Sequence, residues 1–532
     1  MDFNTKYIPY QQTGFFSKIV TDYLINDATI EQFYTHPPNI EGIKKAIAYK
    51  KGTINRNVLV NYFNSQYFNH QLSELQQQNI NFLKQENCFT ITTAHQPNIF
   101  TGPLYFIFKI LHAIKLADTL SNDFPENKFV PVYYMGSEDA DLDELGNINI
   151  QGKKLAWETA QTGAVGRMRI DKNFIQLIKE IEGQIAVNPF GKELIDFFTN
   201  SYQLGKTIDV ATFELVNFLF AKYGLLVLVP DNADLKKAFI PTIKKEIEEQ
   251  FSREVVDKTN IELSKHYKTQ AAGREINLFY LIDDKRERIE KKDNLFIVEK
   301  LGLQFNLDEI LQELNNHPER FSPNVILRPV FQETILPNVA FIGGGGELAY
   351  WLQLKNVFEE VNIPYPVLVL RNSFLLYNSN QENKLQKMDY NISNLFAPTE
   401  KLFTNLVAKQ SRNNLSLANQ LTETQAFYNA LKNQTAQIDA SLTAHVEAIA
   451  VKALKKIEAL EKKLWRAEKR KFTDQKNQLQ NIKAALFPND NLQERVENFS
   501  YHYSIYGNSF LDTILSSSKG LEQQFALISI NK

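Results

Sequence analysis

One cysteine, Cys88, stands in 532 residues, so the chain can form neither an internal disulfide nor a multi-cysteine metal site. Its eight histidines are scattered singly, and no HxxxH or HExxH spacing brings two of them to one helix face as zinc ligands. Neither sign of charge dominates: 59 Lys plus Arg against 61 Asp plus Glu leave a formal charge of −2. Such a balance gives no general grip on nucleic acid or an anionic membrane. Apolar runs such as Leu225 to Val229 fall far short of the roughly 20 residues that span a bilayer. The opening segment MDFNTKYIPYQQTGFF has no basic stretch leading into an apolar one, so it does not read as a secretory signal. The expectation is a soluble, cytoplasmic protein that binds neither nucleic acid nor membrane.

What the chain does have is enough apolar material for several cores. Hydrophobic residues make up 43% and aromatics 12%, with 38 Phe among them; at roughly 150 residues per domain the length suits about three to four domains. Up to about residue 375 short apolar runs recur, each followed by a loop and a helical pattern. Phe89 to Thr93, Phe129 to Met135, Leu225 to Val229, Val325 to Phe331, Val339 to Ile342 and Pro366 to Leu370 are read as strands. Continuous rather than alternating apolar runs suit a parallel sheet covered on both faces. The fold class expected is therefore α/β, a Rossmann-like doubly wound parallel sheet over residues 1–377, with connecting insertions near 150–205 and 240–320.

Beyond residue 378 helix formers dominate. Val446, Ala450, Ala453, Ile457, Leu460, Leu464 and Ala467 follow a 4-3-4-3-4-3 spacing, an a/d seam held for three heptads. Residues 378–490 are expected to form a helical coiled-coil domain, folded back or paired between chains, although an ordinary long bundle helix fits the same spacing. Pro488 ends it, and the aromatic-rich segment 491–532 reads as a tail packing on the core.

Three stretches carry chemistry. In the first, a strand from Cys88 runs into His95, Gln96 and Asn98, with Thr101 as the expected N-cap of the following helix, then Gly102, and Pro103 in the first turn. Ligands of open α/β sheets bind beyond the carboxyl ends of strands, where a histidine can steady phosphate charge or move a proton; a turn histidine bonded to local backbone explains it as well. In the second, Ser137, Glu138, Asp139 and Asp141 follow a strand and can hold an amine or, through water, magnesium. A calcium loop is excluded because Glu144 stands where the sixth position needs glycine, and an acidic helix N-terminus is the plainer reading. In the third, Gly343, Gly344, Gly345 and Gly346 lie between a strand and a helix bearing Glu347 and Tyr350. Such a run lets backbone approach an anion or simply lets helix and strand pack closely. Arg328 and Arg371, read as strand-end arginines, suit carboxylate or phosphate recognition. Asp231 and Asp234 read equally as helix caps. No metal ligand set is assigned.

These stretches carry a resemblance. His95-Gln96 followed by Asn98-Ile-Phe-Thr-Gly-Pro-Leu-Tyr105, Lys109 with Ile114 to Ala117, Met135-Gly-Ser-Glu-Asp139, Gly346-Glu347 with Tyr350, and Leu492 to Val496 together resemble the bacillithiol biosynthesis cysteine-adding enzymes, in the same order over nearly the whole chain. The resemblance implies a core similar to class I aminoacyl-tRNA synthetases, a coiled-coil domain and a homodimer made through it. It implies a ligase that adds L-cysteine to glucosaminyl malate by an amide bond. ATP with magnesium is a candidate activator, and no cofactor is fixed. On that footing His95, Glu138 and Asp139 are the catalytic candidates: His95, with the backbone at Thr101 and Gly102, steadies phosphate charge, and a carboxylate orients the amine. Gln96, Asn98, Ser137, Asp141, Arg328, the four glycines, Glu347, Tyr350 and Arg371 are the binding candidates. A nucleotide-binding coiled-coil scaffold without ligase activity is the alternative, and aminoacylation of transfer RNA lacks the basic domain it needs.

Overall fold

The computed structural model describes residues 2–52 and 54–531. The chain divides into two compact units, Met1–Leu376 together with Asn491–Lys532, and Tyr377–Asp490.

The first unit is built on five parallel strands: β1 (Cys88–His95), β2 (Lys128–Met135), β3 (Leu226–Leu228), β4 (Asn338–Gly343) and β5 (Val367–Leu370). Their order across the sheet is β5-β4-β1-β2-β3. Every residue of β3, β4 and β5 is buried. Since successive side chains point to opposite faces, both faces are covered, and this is why the runs are continuously apolar. From β1 the chain moves outward through β2 to β3, then returns to the other side of β1 to lay down β4 and β5. The direction of winding thus reverses between β1 and β4, where the carboxyl ends of two neighbouring strands splay their connections apart.

Helix α1 (Tyr105–Asp123) follows β1. Its expected core face holds, with Leu104, Phe108, Leu111 and Ile114 at most 1% exposed. The expected cap does not. Thr101 has φ +68° in a short 3-10 turn, Ile99–Thr101, and the N-cap of α1 is Leu104. Pro103 accordingly lies before the helix.

The run Val325 to Phe331 is not a strand. It becomes helix α2 (Arg328–Ile335), with Pro329 in its first turn. Proline cannot donate to a central ladder, but at that helix position its missing N–H has no intrahelical role. Arg328 therefore stands at a helix start. Glu333 is buried and takes Lys50 Nζ at 3.2 Å and Asn338 Nδ2 at 2.7 Å. Helix α3 (Gly345–Trp351) follows β4.

The connection from β2 to β3 contains a hairpin, Asn147–Ile150 with Lys153–Ala156, and helices Lys172–Ile185, Gly191–Ser201 and Ile208–Phe220. The connection from β3 to β4 contains a three-stranded antiparallel sheet in the order Phe321–Pro323, Leu278–Ile282, Lys285–Arg288. Asn232 caps the helix after β3, so neither Asp231 nor Asp234 is its cap; Asp231 instead accepts two bonds from Arg167, at 2.7 and 2.8 Å. The last segment returns to the core, ending in a strand, Gln524–Asn531, antiparallel to Asp2–Pro9.

In the second unit α4 (Ala418–Ile438) and α5 (Leu442–Lys471) fold back on each other and α6 (Thr473–Leu486) follows. Lys432 pairs with Glu447, and Glu461 accepts from Leu417 N at 2.8 Å, the register of an antiparallel hairpin. The seam departs from the expected one. Leu460 is 51% exposed and Ala467 is exposed, whereas Glu468 is buried. Glu468 accepts bonds from Ser411 and Asn413, so polar partners just before α4 draw this position inward and shift the seam by one residue.

Candidate active site

The winding reversal opens a cavity of about 610 Å³ at the carboxyl ends of the strands. His95 and Gln96 enter it from β1, Ser137, Glu138 and Asp139 from the loop after β2, Gly344, Gly345 and Gly346 from the turn into α3, and Arg371 from just beyond β5. Glu347 and Tyr350 of α3 and Arg328 of α2 complete the set of expected residues that line it.

The partners of these side chains, or the lack of one, define their chemistry. Gln96 Nε2 donates to Asp139 Oδ2 at 3.1 Å, tying the ends of adjacent strands together. Glu138 differs from its neighbour: its carboxylate pairs with Lys236, which is 1% exposed, and accepts Ser322 Oγ at 2.7 Å. Glu138 is therefore engaged in neutralising a buried ammonium, leaving Asp139 as the carboxylate of this loop that lines the cavity without an ion pair among the described residues. His95 Nε2 is shut from solvent and has no hydrogen-bond partner among the described residues. Burial, helped by the nearby charges of Lys109 and Arg371, holds this imidazole well below its ordinary range, so it is neutral at pH 7.

Glu347 serves two groups. Its Oε2 accepts the Gly344 N–H at 2.8 Å, capping α3, and pairs with Lys109, whose Nζ also donates to Ala94 O at 2.9 Å. Burial lowers the Lys109 ammonium and Glu347 opposes that shift. Arg328 donates to Tyr350 Oη at 2.9 Å and lies over the Tyr134 ring at 5.5 Å. Arg371 meets Glu494 at 2.6 Å. A Cβ on Gly346 would touch nothing within 4 Å and would point into open space, whereas one on Gly343 would meet the Phe341 ring at 2.9 Å.

Five expected residues do not line the cavity. Gly343 is a packing glycine for that reason. Asp141 is exposed and caps its own short helix, accepting from Glu144 N at 3.1 Å. Asn98, Thr101 and Gly102 are buried in a turn whose Phe100 and Thr101 both have positive φ. Asn498 clamps that turn, donating to Phe100 O at 2.9 Å and Gly102 O at 2.5 Å. The turn sets the start of α1, and its Thr101 and Gly102 N–H groups donate to Asn98 O and Ile99 O.

Sequence reasoning passed over Tyr105, Lys109 and Glu144, and the arginines Arg274, Arg286, Arg288 and Arg495, all of which line the cavity. Tyr105 and Lys109 share an i, i+4 helix face, which was a readable signal. The arginines arrive from the β3–β4 insertion and from the final segment, and no local pattern announces where those segments land. Seven cationic side chains and four carboxylates thus surround the cavity, an environment suited to anionic substrates. Among the described residues no group of three or more His, Cys, Asp or Glu could hold a metal ion, and no helix is long and apolar enough to cross a membrane.

Comparison with known proteins agrees across the whole chain. Residues 3–372 match the model of the bacillithiol biosynthesis BshC N-terminal Rossmann-like domain, and residues 374–530 that of the BshC C-terminal coiled-coil domain. Curated relatives carrying the provisional name cysteine ligase BshC include one from Flavobacterium johnsoniae, 41% identical over 99% of this chain and 100% of its own. Those from Flavobacterium psychrophilum and Christiangramia forsetii are 39% and 37% identical, covering 98% and 99% of this chain and 99% of each relative. A solved Campylobacter jejuni structure, described provisionally as an arginyl-tRNA synthetase, aligns over 81% of this chain and 93% of its own. Its identity is 11% and its TM-score 0.21, a value on which no likeness is argued.

Proposed function

This chain belongs to the bacillithiol biosynthesis BshC family, and from that premise we propose that it is a cytoplasmic ligase joining the carboxylate of L-cysteine to the amine of glucosaminyl malate. The observation that carries the reading is the cavity at the winding reversal, where a neutral His95, its Nε2 without a hydrogen-bond partner among the described residues, and the Gln96–Asp139 pair face a cation-rich wall.

A carboxylate does not acylate an amine at neutral pH, because its leaving group would be oxide. ATP as co-substrate supplies a better one. A cysteine carboxylate oxygen attacks the α-phosphorus and pyrophosphate departs. The amine then attacks the acyl carbon, AMP leaves with the bonding electrons, and the amine's surplus proton passes to Asp139 and on to water. His95 adds a neutral hydrogen bond to the phosphate and no charge; the charge comes from Lys109 and Arg328. Magnesium, in this scheme, enters with the nucleotide's phosphates. The α4–α5 hairpin is the proposed homodimer contact, to be checked by light scattering.

The test is direct. Purified protein given cysteine, glucosaminyl malate and ATP should form bacillithiol, seen by mass spectrometry, with one pyrophosphate released per amide. In cells lacking the protein, bacillithiol should vanish and glucosaminyl malate accumulate. Unchanged bacillithiol in those cells sinks the ligase reading.

A further inference from the structure

Three of the cavity's arginines come from the antiparallel sheet of the β3–β4 insertion and the segment leading into it, and they are disposed as one surface. Phe279 and Arg288 lie directly opposite each other across the hairpin, as do Leu281 and Arg286, so all four share a face. On the other side Phe279 is paired with Ser322. That shared face is the one that meets the cavity, for Phe279, Arg286 and Arg288 all line it. Arg274, four residues before the strand, joins them there.

Arg286 is built in. Its guanidinium stacks 3.8 Å above the Phe279 ring, its Nε donates to Ser322 Oγ at 2.9 Å and an Nη to Pro323 O at 3.0 Å. Those contacts fix the plane of the group while leaving donors free. Arg274 and Arg288 are exposed, and neither guanidinium meets a carboxylate within ion-pairing distance among the described residues. Elsewhere in the cavity Lys109 has Glu347 and Arg371 has Glu494, while Arg328 is held by the Tyr350 hydroxyl. Cations left without counter-charges around a fixed, stacked guanidinium form a receptor for a ligand that brings more than one negative charge. Two ligands of the proposed reaction are polyanions, the nucleotide and the acceptor. The strand ends with His95 and the glycine turn are the place for a phosphate in an open α/β sheet, while the arginine surface is carried by the insertion.

We infer that Arg274, Arg286 and Arg288 form a subsite for the dicarboxylate end of the acceptor, and that this subsite selects the acceptor over an amino sugar without carboxylates. The inference rests on the ligase reading and adds to it the residues that set acceptor choice. Arg286 also reaches the reaction loop, because Ser322 passes its hydrogen bond on to Glu138, next to Asp139.

Arg274→Ala and Arg288→Ala change exposed side chains. Each should raise KM for glucosaminyl malate about tenfold or more, leave KM for cysteine and ATP within about twofold, and leave turnover of methyl glucosaminide, which has no carboxylate, unchanged. L-malate alone should raise the melting temperature of the parent protein and fail to do so for Arg288→Ala, while ATP still does for both. Arg286→Lys, which keeps charge and loses the stacked fork, should lie between. Equal KM for glucosaminyl malate in parent and both alanine variants overturns the subsite while leaving the ligase intact, and a rise in KM for ATP instead reassigns the surface to the nucleotide. A parent that makes no bacillithiol while malate still protects it only when Arg288 is present refutes the ligase reading and spares the receptor.

Discussion

Arg371 and Glu494, 123 positions apart in the chain, meet at 2.6 Å with side-chain exposures of 3% and 0%. Arg371 follows the last strand of the central sheet, and Glu494 lies where the chain returns to the core. Glu494 Oε2 accepts the Phe374 N–H at 3.1 Å and Tyr10 Oη donates to Arg371 O at 3.0 Å, so three distant segments are tied at one point. The next residue, Arg495, reaches the cavity. Removing one member of a buried pair leaves the other charge uncompensated, at about 3–5 kcal/mol. Glu494→Ala should therefore lose about that much stability in urea unfolding and Glu494→Gln distinctly less. A loss below about 1 kcal/mol for the alanine variant would show that the pair does not anchor this segment.

The two carboxylates after β2 should separate in a double set of variants. Asp139 faces the cavity with Gln96, whereas Glu138 neutralises Lys236. Asp139→Asn should lower kcat by at least about tenfold, or about 1.4 kcal/mol of barrier, with an unchanged urea midpoint. Glu138→Gln should instead lower the midpoint because it leaves the buried Lys236 ammonium only the more distant Asp231 carboxylate, at 3.8 Å. The reverse pattern would make Glu138 the acting carboxylate.

What the amino-acid order made legible follows from range. Strands β1, β2 and β4 could be read because burial on both faces writes itself as an uninterrupted apolar run. Val325 to Phe331 misled because the apolar run outweighed Pro329, whose missing N–H decides the matter in favour of a helix start. Thr101 has the chemistry of a cap but not the backbone: its φ is positive, in a turn whose Phe100 and Gly102 carbonyls are held by Asn498, nearly 400 positions away. Separation along the chain likewise hid Arg286, Arg288 and Arg495. Leu460 continues the heptad on paper, yet its neighbour one position on, Glu461, is drawn inward by the Leu417 amide. Local pattern gives the sheet and the residues at its edge, and long-range contacts decide which other side chains share their cavity.

The turn before α1 invites a backbone test. Gly102 has φ +65°, and an added Cβ would come 2.8 Å from Asn98 Cβ, a side chain shut in by burial. Gly102→Ala should cost on the order of 1–3 kcal/mol through backbone strain alone. Asn498→Ala frees the Phe100 and Gly102 carbonyls without partners, at about 1–3 kcal/mol. Because both changes act on one turn, the double variant should lose less than the sum of the two. Additive losses would mean that Asn498 and Gly102 act separately.

His112 gives the protein a predictable response to acid. The ring is fully buried in α1; its Nδ1 accepts the Asn372 N–H at 3.0 Å, which leaves Nε2–H to donate to Gly520 O at 2.7 Å. Burial pulls this imidazole down to about 4, against the bond to Gly520, which favours the charged form. A proton on Nδ1 would destroy the bond from Asn372. Above about pH 6.5 the ring is neutral folded or unfolded, and its titration contributes nothing. Between about 6.5 and 4 the unfolded chain binds a proton that the folded one refuses, so stability falls as pH falls. From pH 7 to pH 5 this amounts to about 2 kcal/mol for His112 at 1.36 kcal/mol per unit. His112→Asn keeps a polar side chain but cannot titrate. Its urea-unfolding free energy should be lower than the parent's at pH 7 and should lose about 2 kcal/mol less than the parent on going to pH 5. Parallel losses in parent and variant would show that His112 is not held neutral in the fold.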